Sequence, residues 1–443
     1  MLRFAFAAAA SLSLAVCYAG SAAADDLVVG HNSVGTIVLP DSSQAKPGSA
    51  GLFAHTHIIV VHPDQDIGSA ADDAEEAPST NKPPKPGLTV NTPASVACIY
   101  MLVTQADGCD PNLFHTNSTG GSKTIAIVDA CDDPNVRKEL TTFSKQFGLP
   151  KPTAANFKVV FASGKRPNDK SCNNGGAAGS WITEIALDTQ WVHAIAPHAK
   201  IILVEAKTNS FNDLLVAEDK ASALVAKTGG EVTNSWGGGI GSSDPSNDSH
   251  FLKAGVVFFA STGDAPGPEY PSTSPNVVAV GGTHINRESN KQLSGSSYEV
   301  VWSDTGGNKN ISTGGGIDTF EAKPSFQNGV SGVTGTHRNV PDVAAIADPD
   351  TGVWVRVGTK WEEVGGTSLA SPVMAAIVNL AGGANNSNAQ NTTMYGAMGT
   401  PADWFDVVSG ACGPISGGNH TQNASTGYDL CSGIGAPRGL AGK

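Results

Sequence analysis

The chain has 443 residues, of which 40% are hydrophobic and 15% are charged, with 52 glycines and a formal net charge of −13. This length accommodates one large catalytic domain with an N-terminal extension, and the apolar content gives no sign of global disorder. A strongly acidic chain is a poor ligand for nucleic acid or anionic lipid, so both partner classes are excluded, and we expect a monomer.

Residues 1–24 are typical of a signal peptide. Arg3 supplies the positive start, an apolar run from Phe4 to Val16 follows, and three alanines at 22–24 offer a cleavage site. A membrane anchor is the disfavoured alternative, because the run is too short to span a bilayer comfortably and no comparable run follows. We therefore expect a secreted protein, extracellular or periplasmic, with no membrane partner.

Residues 25–91 differ in composition from the rest, and we interpret them as a short prosegment joined by a Pro-rich linker. They include an acidic patch at 72–76 and three histidines, His55, His57 and His62, around an apolar run. Histidines that alternate on a strand can bind a metal, but a plain strand with polar ends is the favoured interpretation.

Six cysteines remain after the signal peptide, an even number that indicates three disulfides in an exported protein. Several pairings are open, and proximity along the chain favours Cys98–Cys109, Cys131–Cys172 and Cys412–Cys431. No CxxC pair is present, which argues against a zinc or thioredoxin-like site.

From about residue 120, short apolar runs alternate with helical patterns. The predicted strands are 123–129, 157–161, 200–205, 231–235, 256–260 and 277–280, and the predicted helices are 134–147, 176–195, 213–227 and 368–381. This alternation predicts an α/β fold with a mainly parallel sheet flanked by helices on both faces. Ligands of such sheets bind at the carboxyl ends of the strands.

The predicted helix 176–195 carries two acids on one face. Glu184 and Asp188 are four residues apart, and Trp181 and Trp191 lie near the same stripe. No lysine or arginine lies between residues 170 and 200 to neutralise them. Two adjacent carboxylates in such a setting resist double ionisation and can share a proton.

Two further positions carry candidate chemistry. Asp264 follows the apolar strand Phe258–Ala260 and a glycine turn, where an isolated acid is often only a turn residue. Ser368 stands after Gly365-Gly366-Thr367 at the start of a predicted helix, where free N–H groups can stabilise an oxyanion. A helix-capping serine is the structural alternative.

The longer run Gly-Gly-Thr-Ser-Leu-Ala-Ser-Pro-Val-Met-Ala-Ala around Ser368 resembles the nucleophile motif of subtilisin-like and sedolisin-like peptidases. No histidine has the context of the subtilase base, whereas the Glu184/Asp188 pair and Asp264 match the sedolisin pattern. The resemblance extends from about residue 120 to the C-terminus and includes the segments 232–237, 313–316 and 338–352.

Resemblance to the sedolisin (S53) family implies a subtilisin-like fold for residues 92–443 and a peptidase acting on proteins or peptides. Ser368 would be the nucleophile, Glu184 its direct base and Asp188 the residue that holds and polarises Glu184. Asp264 would stabilise the oxyanion when protonated. Asp129, at the end of the first strand of this domain, would have at most a supporting role. Sedolisins usually carry a much longer prosegment than residues 25–91.

The same resemblance implies one structural Ca²⁺ near the C-terminus. Asp406 and Asp429 would supply side-chain oxygens, and Val407, Ser425 and Gly427 would supply carbonyls. Oxygen-only ligation suits a hard cation. Ser425 stands where the family usually has glycine, and two ordinary loops tied by Cys412–Cys431 are the alternative.

These observations predict a secreted, acid-acting serine-carboxyl endopeptidase. Two alternatives stay open: a neutral subtilisin-like peptidase with an unrecognised base among histidines such as His193, His198 and His284, and an inactive secreted binding protein on the same scaffold.

Overall fold

The computed structural model describes residues 26–46, 48, 51–64, 83–104, 107–114, 116–167, 181–304, 311–414 and 421–443. The predicted signal peptide at 1–24, the acidic patch at 72–76 and Cys172 lie outside these residues, as does the start of the helix predicted from 176.

The described residues form helices and short strands in alternation. In chain order, helices α1–α6 are Pro93–Ile99, Val136–Phe147, Trp181–Ile195, Phe211–Val225, Thr367–Ala381 and Ser387–Gly396. Strands β1–β24 are Leu27–His31, Gly35–Leu39, His55–Thr56, Ile59–Pro63, Thr124–Ala130, Phe157–Phe161, Lys200–Ala206, Gly230–Asn234, Trp236–Gly239, Val256–Ser261, Glu269–Tyr270, Val278–Ile285, Glu299–Val301, Ser303–Asp304, Ile311–Ser312, Gly316–Ala322, His337–Val340, Val343–Ile346, Val353–Val357, Lys360–Gly365, Trp404–Phe405, Ala411–Pro414, Thr421–Asn423 and Ala436–Pro437.

The central sheet has the strand order β13-β12-β10-β8-β5-β7-β6, with β18 also paired to β12. The pairs from β6 to β12 are parallel, as is β12 with β18, and β13 is antiparallel at one end. Parallel strands align their carboxyl ends, so the residues that follow β5, β8 and β10 meet at one edge of the sheet. The predicted α/β, mainly parallel sheet is confirmed.

Helices cover both faces of this sheet. Along β5, Ile125 and Ile127 pack in the core that contains α2, α3 and α5, whereas Ala126 and Val128 pack in the core that contains α4. Strands buried on both faces read as continuous apolar runs, which explains why the sequence predicted them. The predicted strands and helices of the central sheet are confirmed, with end points shifted by a few residues.

The N-terminal segment, residues 26–64, forms part of a second sheet. Its strands extend the order β1-β2-β4-β20-β19, and all of these neighbours are antiparallel. Val60 of β4 lies opposite Val364 of β20 and is fully buried. Strand β20 leads directly into α5, so the N-terminal segment packs beside the helix that carries Ser368.

Two of the predicted disulfides are present, Cys98–Cys109 and Cys412–Cys431, with Cα–Cα distances of 5.4 and 5.5 Å. The third predicted pair, Cys131–Cys172, includes a cysteine outside the described residues. Within the described part of the chain, no helix has the length and apolar character needed to cross a bilayer.

Candidate active site

Ser368 is the second residue of α5, and it is fully buried. Its hydroxyl donates to Glu184 Oε2 at 2.9 Å and lies 3.2 Å from the Ser235 carbonyl oxygen. The helix begins after Gly366, whose φ of 104° favours glycine. The hydroxyl of Ser371, one helical turn later, instead contacts Thr233 at 2.8 Å. Of these two serines, Ser368 is therefore the one whose hydroxyl contacts a predicted acid.

Helix α3 brings the two predicted acids to the nucleophile. Glu184 and Asp188 are fully buried, and their side chains share a hydrogen bond. Burial and the nearby carboxylates of Asp188 and Asp129 raise the pKa of Glu184 well above its ordinary value. Burial and Asp129 do the same for Asp188. Both shifts favour a protonated form of the pair, because two adjacent buried carboxylates resist double ionisation.

The surrounding sheet fixes the position of this pair. Asp188 accepts a hydrogen bond from the Ser235 hydroxyl at 2.9 Å, and Ser235 follows β8 at its carboxyl end. One turn further along α3, Trp191 donates from its indole nitrogen to the Trp354 carbonyl at 3.1 Å. These contacts anchor α3 between the central sheet and β19, so the carboxyl groups have little freedom to move away from Ser368.

Asp264 lies on the other side of the nucleophile. Its Oδ1 accepts from the Thr367 N–H at 2.7 Å and from the Thr367 hydroxyl at 2.9 Å. Burial is the main cause that raises the pKa of Asp264 to about 8. Asp264 Oδ2 has no hydrogen-bond partner among the described residues. When Asp264 is protonated, this oxygen can therefore act as a donor.

Asp129 ends β5 close enough to the pair to raise the pKa of both of its members. Its own pKa is raised to about 8 by burial. Neither of its carboxylate oxygens has a hydrogen-bond partner among the described residues.

The site contains a piece of the N-terminal segment that sequence reasoning did not place there. Strand β3 pairs antiparallel with β9, with His55 opposite Gly237 and Thr56 opposite Trp236. The next residue, His57, accepts a hydrogen bond from the Ser368 N–H at 3.0 Å through its carbonyl. Its own N–H donates to Ser368 Oγ at 3.1 Å.

The His57 carbonyl oxygen lies at the N-terminus of α5. A Cβ on Gly366 would lie 2.0 Å from this oxygen and 2.6 Å from Asp264 Oδ2, so both oxygens pack directly against Gly366. The chain around His57 is thus an extended peptide that pairs with β9 and directs its carbonyl at the N-terminus of α5.

Two of the histidines named as alternative bases have partners other than Ser368. His193 contacts the Pro150 carbonyl at 2.7 Å, and His284 contacts Asp348 at 2.9 Å. The ring nitrogens of His57 contact Ser261 at 2.6 Å and Glu269 at 3.0 Å, so this imidazole is directed away from the nucleophile.

The two loops with the expected calcium ligands come together. The Gly427 N–H donates to both carboxylate oxygens of Asp406, at 3.2 and 3.1 Å. Asp429 accepts from the N–H groups of Ser425 and Cys431 at 3.2 and 2.8 Å. The buried Val407 carbonyl lies 3.4 Å from the Ser432 hydroxyl. The carboxylates of Asp406 and Asp429 and the Val407 carbonyl are oxygen donors of the kind that a hard cation takes.

A sequence model of the subtilase family matches residues 162–428, more than half of the chain. Kumamolisin from Bacillus sp. (strain MN-32) is 28% identical over 377 residues, which cover 80% of this chain and 63% of that protein. Sedolisin from Pseudomonas sp. (strain 101) is 37% identical over 173 residues, which cover 38% of this chain and 28% of that protein. The chain spans less than two thirds of the length of these relatives.

A solved structure of Pseudomonas sedolisin, a serine-carboxyl proteinase complexed with two molecules of pseudo-iodotyrostatin, matches with a TM-score of 0.61 and 24% identity. The match covers 79% of this chain and 95% of that one, and it shows a common fold. The fold, the subtilase match and the curated relatives agree with the motifs around Ser368. The chain belongs to the sedolisin family, with a subtilisin-like fold.

Proposed function

We propose that the protein is a secreted, acid-acting serine-carboxyl endopeptidase that cleaves proteins or peptides through an acyl-enzyme. The observation that carries the proposal is the 2.9 Å contact between Ser368 Oγ and Glu184, together with the hydrogen bond from Glu184 to Asp188. A nucleophile, a base and a residue that orients the base are the elements of a catalytic triad.

In the proposed reaction, Ser368 Oγ attacks the substrate carbonyl carbon while its proton passes to Glu184. The Ser368 N–H and protonated Asp264 donate to the resulting oxyanion. Glu184 then gives its proton to the leaving amine, and the carbon–nitrogen bond breaks. Water hydrolyses the acyl-enzyme by the same proton transfers in reverse.

Acid is expected to favour this reaction for two reasons. Asp264 can donate to the oxyanion only when it is protonated. The Glu184/Asp188 pair must also carry one proton rather than none. With the N-terminal segment in the cleft, burial raises the pKa of Asp264 to about 8. Departure of the segment admits water and lowers that pKa, so we expect an optimum at roughly pH 3–5, near ordinary carboxyl pKa values.

The test is digestion of casein at acid pH by the purified chain and its variants. Ser368→Ala and Glu184→Gln should each lower turnover by about 10⁴-fold or more, since each removes a member of a unit that works together. Ser371→Ala is the matched control, because its hydroxyl contacts Thr233 and not Glu184. Activity that survives in either triad variant, or an optimum above pH 7, would refute the proposal.

We also propose that residues 25–91 act as a prosegment that keeps the enzyme latent. The support is the position of His57, whose backbone meets both the N–H and the hydroxyl of Ser368. A substrate must displace this peptide from β9 before its own carbonyl can reach the nucleophile.

For the C-terminal loops we propose one structural Ca²⁺. Asp406 and Asp429 would hold it with carboxylate oxygens, and Val407, Ser425 and Gly427 would add carbonyls. The ion would tie together two loops that are already joined by Cys412–Cys431. It would have no part in the bond-breaking steps.

A neutral, histidine-dependent peptidase finds less support. The hydrogen-bond partners of Ser368 Oγ in the described part of the chain are Glu184, the Ser235 carbonyl and the His57 N–H. An inactive binding protein is also disfavoured, because Ser368, Glu184, Asp188 and Asp264, the residues that the proposed reaction needs, are all present.

A further inference from the structure

Two imidazoles and a carboxylate converge beside the nucleophile without a role in the proposed reaction. His55 Nε2 lies 3.2 Å from Glu269 Oε2, and His57 Nε2 lies 3.0 Å from the same oxygen. The histidines come from the N-terminal segment and Glu269 from β11. The cluster therefore joins two parts of the chain more than 200 residues apart.

The sequence His-Thr-His explains the convergence of the two rings. Residues two apart in extended chain lie on the same face, so His55 and His57 both point towards β11. Their ring centroids are 5.2 Å apart with an interplanar angle of 70°. Glu269 is held in front of them because β11 pairs with β9, the strand that also pairs with β3.

These distances fit a tetrahedral metal ion. At zinc–nitrogen distances of about 2.0–2.1 Å, ligand atoms lie about 3.4 Å apart and two imidazole centroids about 5.2 Å apart. The ring separation matches this geometry, and the ligand atoms all lie within 4.8 Å of one another. Small side-chain rotations would place a metal among the three atoms.

The surroundings of His57 are those of a metal ligand. Its Nδ1 lies 2.6 Å from Ser261 Oγ, and its Nε2 faces Glu269 at 3.0 Å. A proton on Nδ1 would leave Nε2 open to a metal ion. The ring is buried, so these contacts fix its orientation.

The fourth coordination position has room for water. A cavity of about 340 Å³ is lined by both histidines and Glu269, together with Asp264 and residues of the N-terminal segment. His55 and Glu269 keep 15% and 16% of their side-chain surface exposed, so an ion can enter from this side.

We propose that His55, His57 and Glu269 bind one divalent transition-metal ion, for which Zn²⁺ is the best match, and that the ion fastens the N-terminal segment to the peptidase body. Missing CxxC pairs argued against zinc, but histidine and glutamate ligands need no cysteine. Binding at this site does not depend on the proposed peptidase activity, because its ligands are distinct from Ser368, Glu184 and Asp188.

The experiment uses the full chain with Ser368→Ala, which avoids self-digestion. The protein is stripped with a chelator, supplied with excess Ca²⁺ and titrated with ZnCl₂ at neutral pH by calorimetry. We expect one zinc per chain with a micromolar or tighter dissociation constant. Glu269→Gln and His55→Ala should each weaken binding by about 100-fold, since a three-residue site loses one ligand.

His31→Ala is the matched control, because this exposed histidine also contacts a carboxylate, Asp64, at 2.6 Å. It should leave the zinc affinity unchanged. Circular dichroism of each variant checks that it folds. If Glu269→Gln does not fold, His55→Ala still tests the site, because His55 is partly exposed and its replacement should leave the fold intact. Absence of stoichiometric zinc binding, or equal affinity in folded His55→Ala, would overturn the proposal and leave the cluster as a hydrogen-bonded ion pair.

Discussion

At the scale of single residues, Asp264 is expected to set the alkaline limit of activity. Its Oδ1 accepts two hydrogen bonds from Thr367, so an asparagine would keep Oδ1 there and direct its NH₂ group to the oxyanion. An amide donates at every pH. Asp264→Asn should therefore move the alkaline limb of kcat/KM upward by about one pH unit or more.

Asp264→Ala provides the contrast, because it removes the donor and should cost about 10²–10³-fold in kcat. Both variants are measured as full pH–rate profiles on a small peptide substrate. If Asp264→Asn keeps the alkaline limb of the unaltered enzyme, Asp264 does not supply the titrating donor.

Residue identity and spacing allowed part of this site to be predicted. The pair Glu184/Asp188 lies on one turn of one helix, so helix geometry alone brings the two carboxyl groups together. Their placement opposite Ser368, and the position of Asp264, followed from resemblance. The cluster of His55, His57 and Glu269 could not be predicted, because β3 and β11 meet only through β9. The one signal was the spacing of the two histidines.

At the scale of elements, the pairing of β4 with β20 holds the N-terminal segment against the peptidase body. A charge at Val60 would be buried between β2 and β20, which costs several kcal/mol unless the strand leaves. If the segment is a removable prosegment, Val60→Asp should release it. Activity at acid pH should then begin without a lag, as followed in a continuous peptide assay.

Val28→Asp is the control, because Val28 lies in β1 of the same segment and is 64% exposed. It should keep the lag of the unaltered chain. A Val60→Asp protein that is inactive and has lost its cooperative unfolding would show that residues 26–64 are an integral part of the fold and would exclude a removable prosegment.

The elements differ in how well the sequence predicted them. Helices α2–α5 and the central strands carry continuous or periodic apolar patterns, so each could be recognised locally. The composition of residues 25–91 suggested a prosegment with a linker, yet its strand β4 pairs with β20, about 300 residues later in the chain. Such pairing depends on which edge the finished sheet leaves open, and no local pattern reports that.

At the scale of the whole molecule, many buried carboxyl groups should make stability depend on pH. Burial raises the pKa of Glu231 to about 8 and of Glu299 and Glu362 to about 7. In the unfolded chain these groups titrate near pH 4. Between those values the folded chain binds more protons, so the free energy of unfolding rises as pH falls from 8 to 5. The thermal denaturation midpoint of the Ser368→Ala chain should be at least about 5 °C higher at pH 5 than at pH 8.

Glu299→Gln tests the cause. Glu299 Oε1 accepts from Tyr100 and Thr283, and a glutamine oxygen can accept both bonds without titrating. The difference in midpoint between pH 5 and pH 8 should shrink in this variant. If the midpoint of the Ser368→Ala chain is equal or higher at pH 8, the buried carboxyl groups are not the cause of the pH dependence of its stability.

The peptide at residues 55–57 also competes with any compound aimed at Ser368. Because it is tethered to the same chain, it is present at an effective concentration that no dilution of the protein lowers. An inhibitor that extends along β9 must overcome this competition, so its apparent affinity for the full chain falls by the ratio of all clefts to open ones. Weak labelling of the full chain by an active-site reagent would therefore measure occupancy of the cleft rather than the reactivity of Ser368.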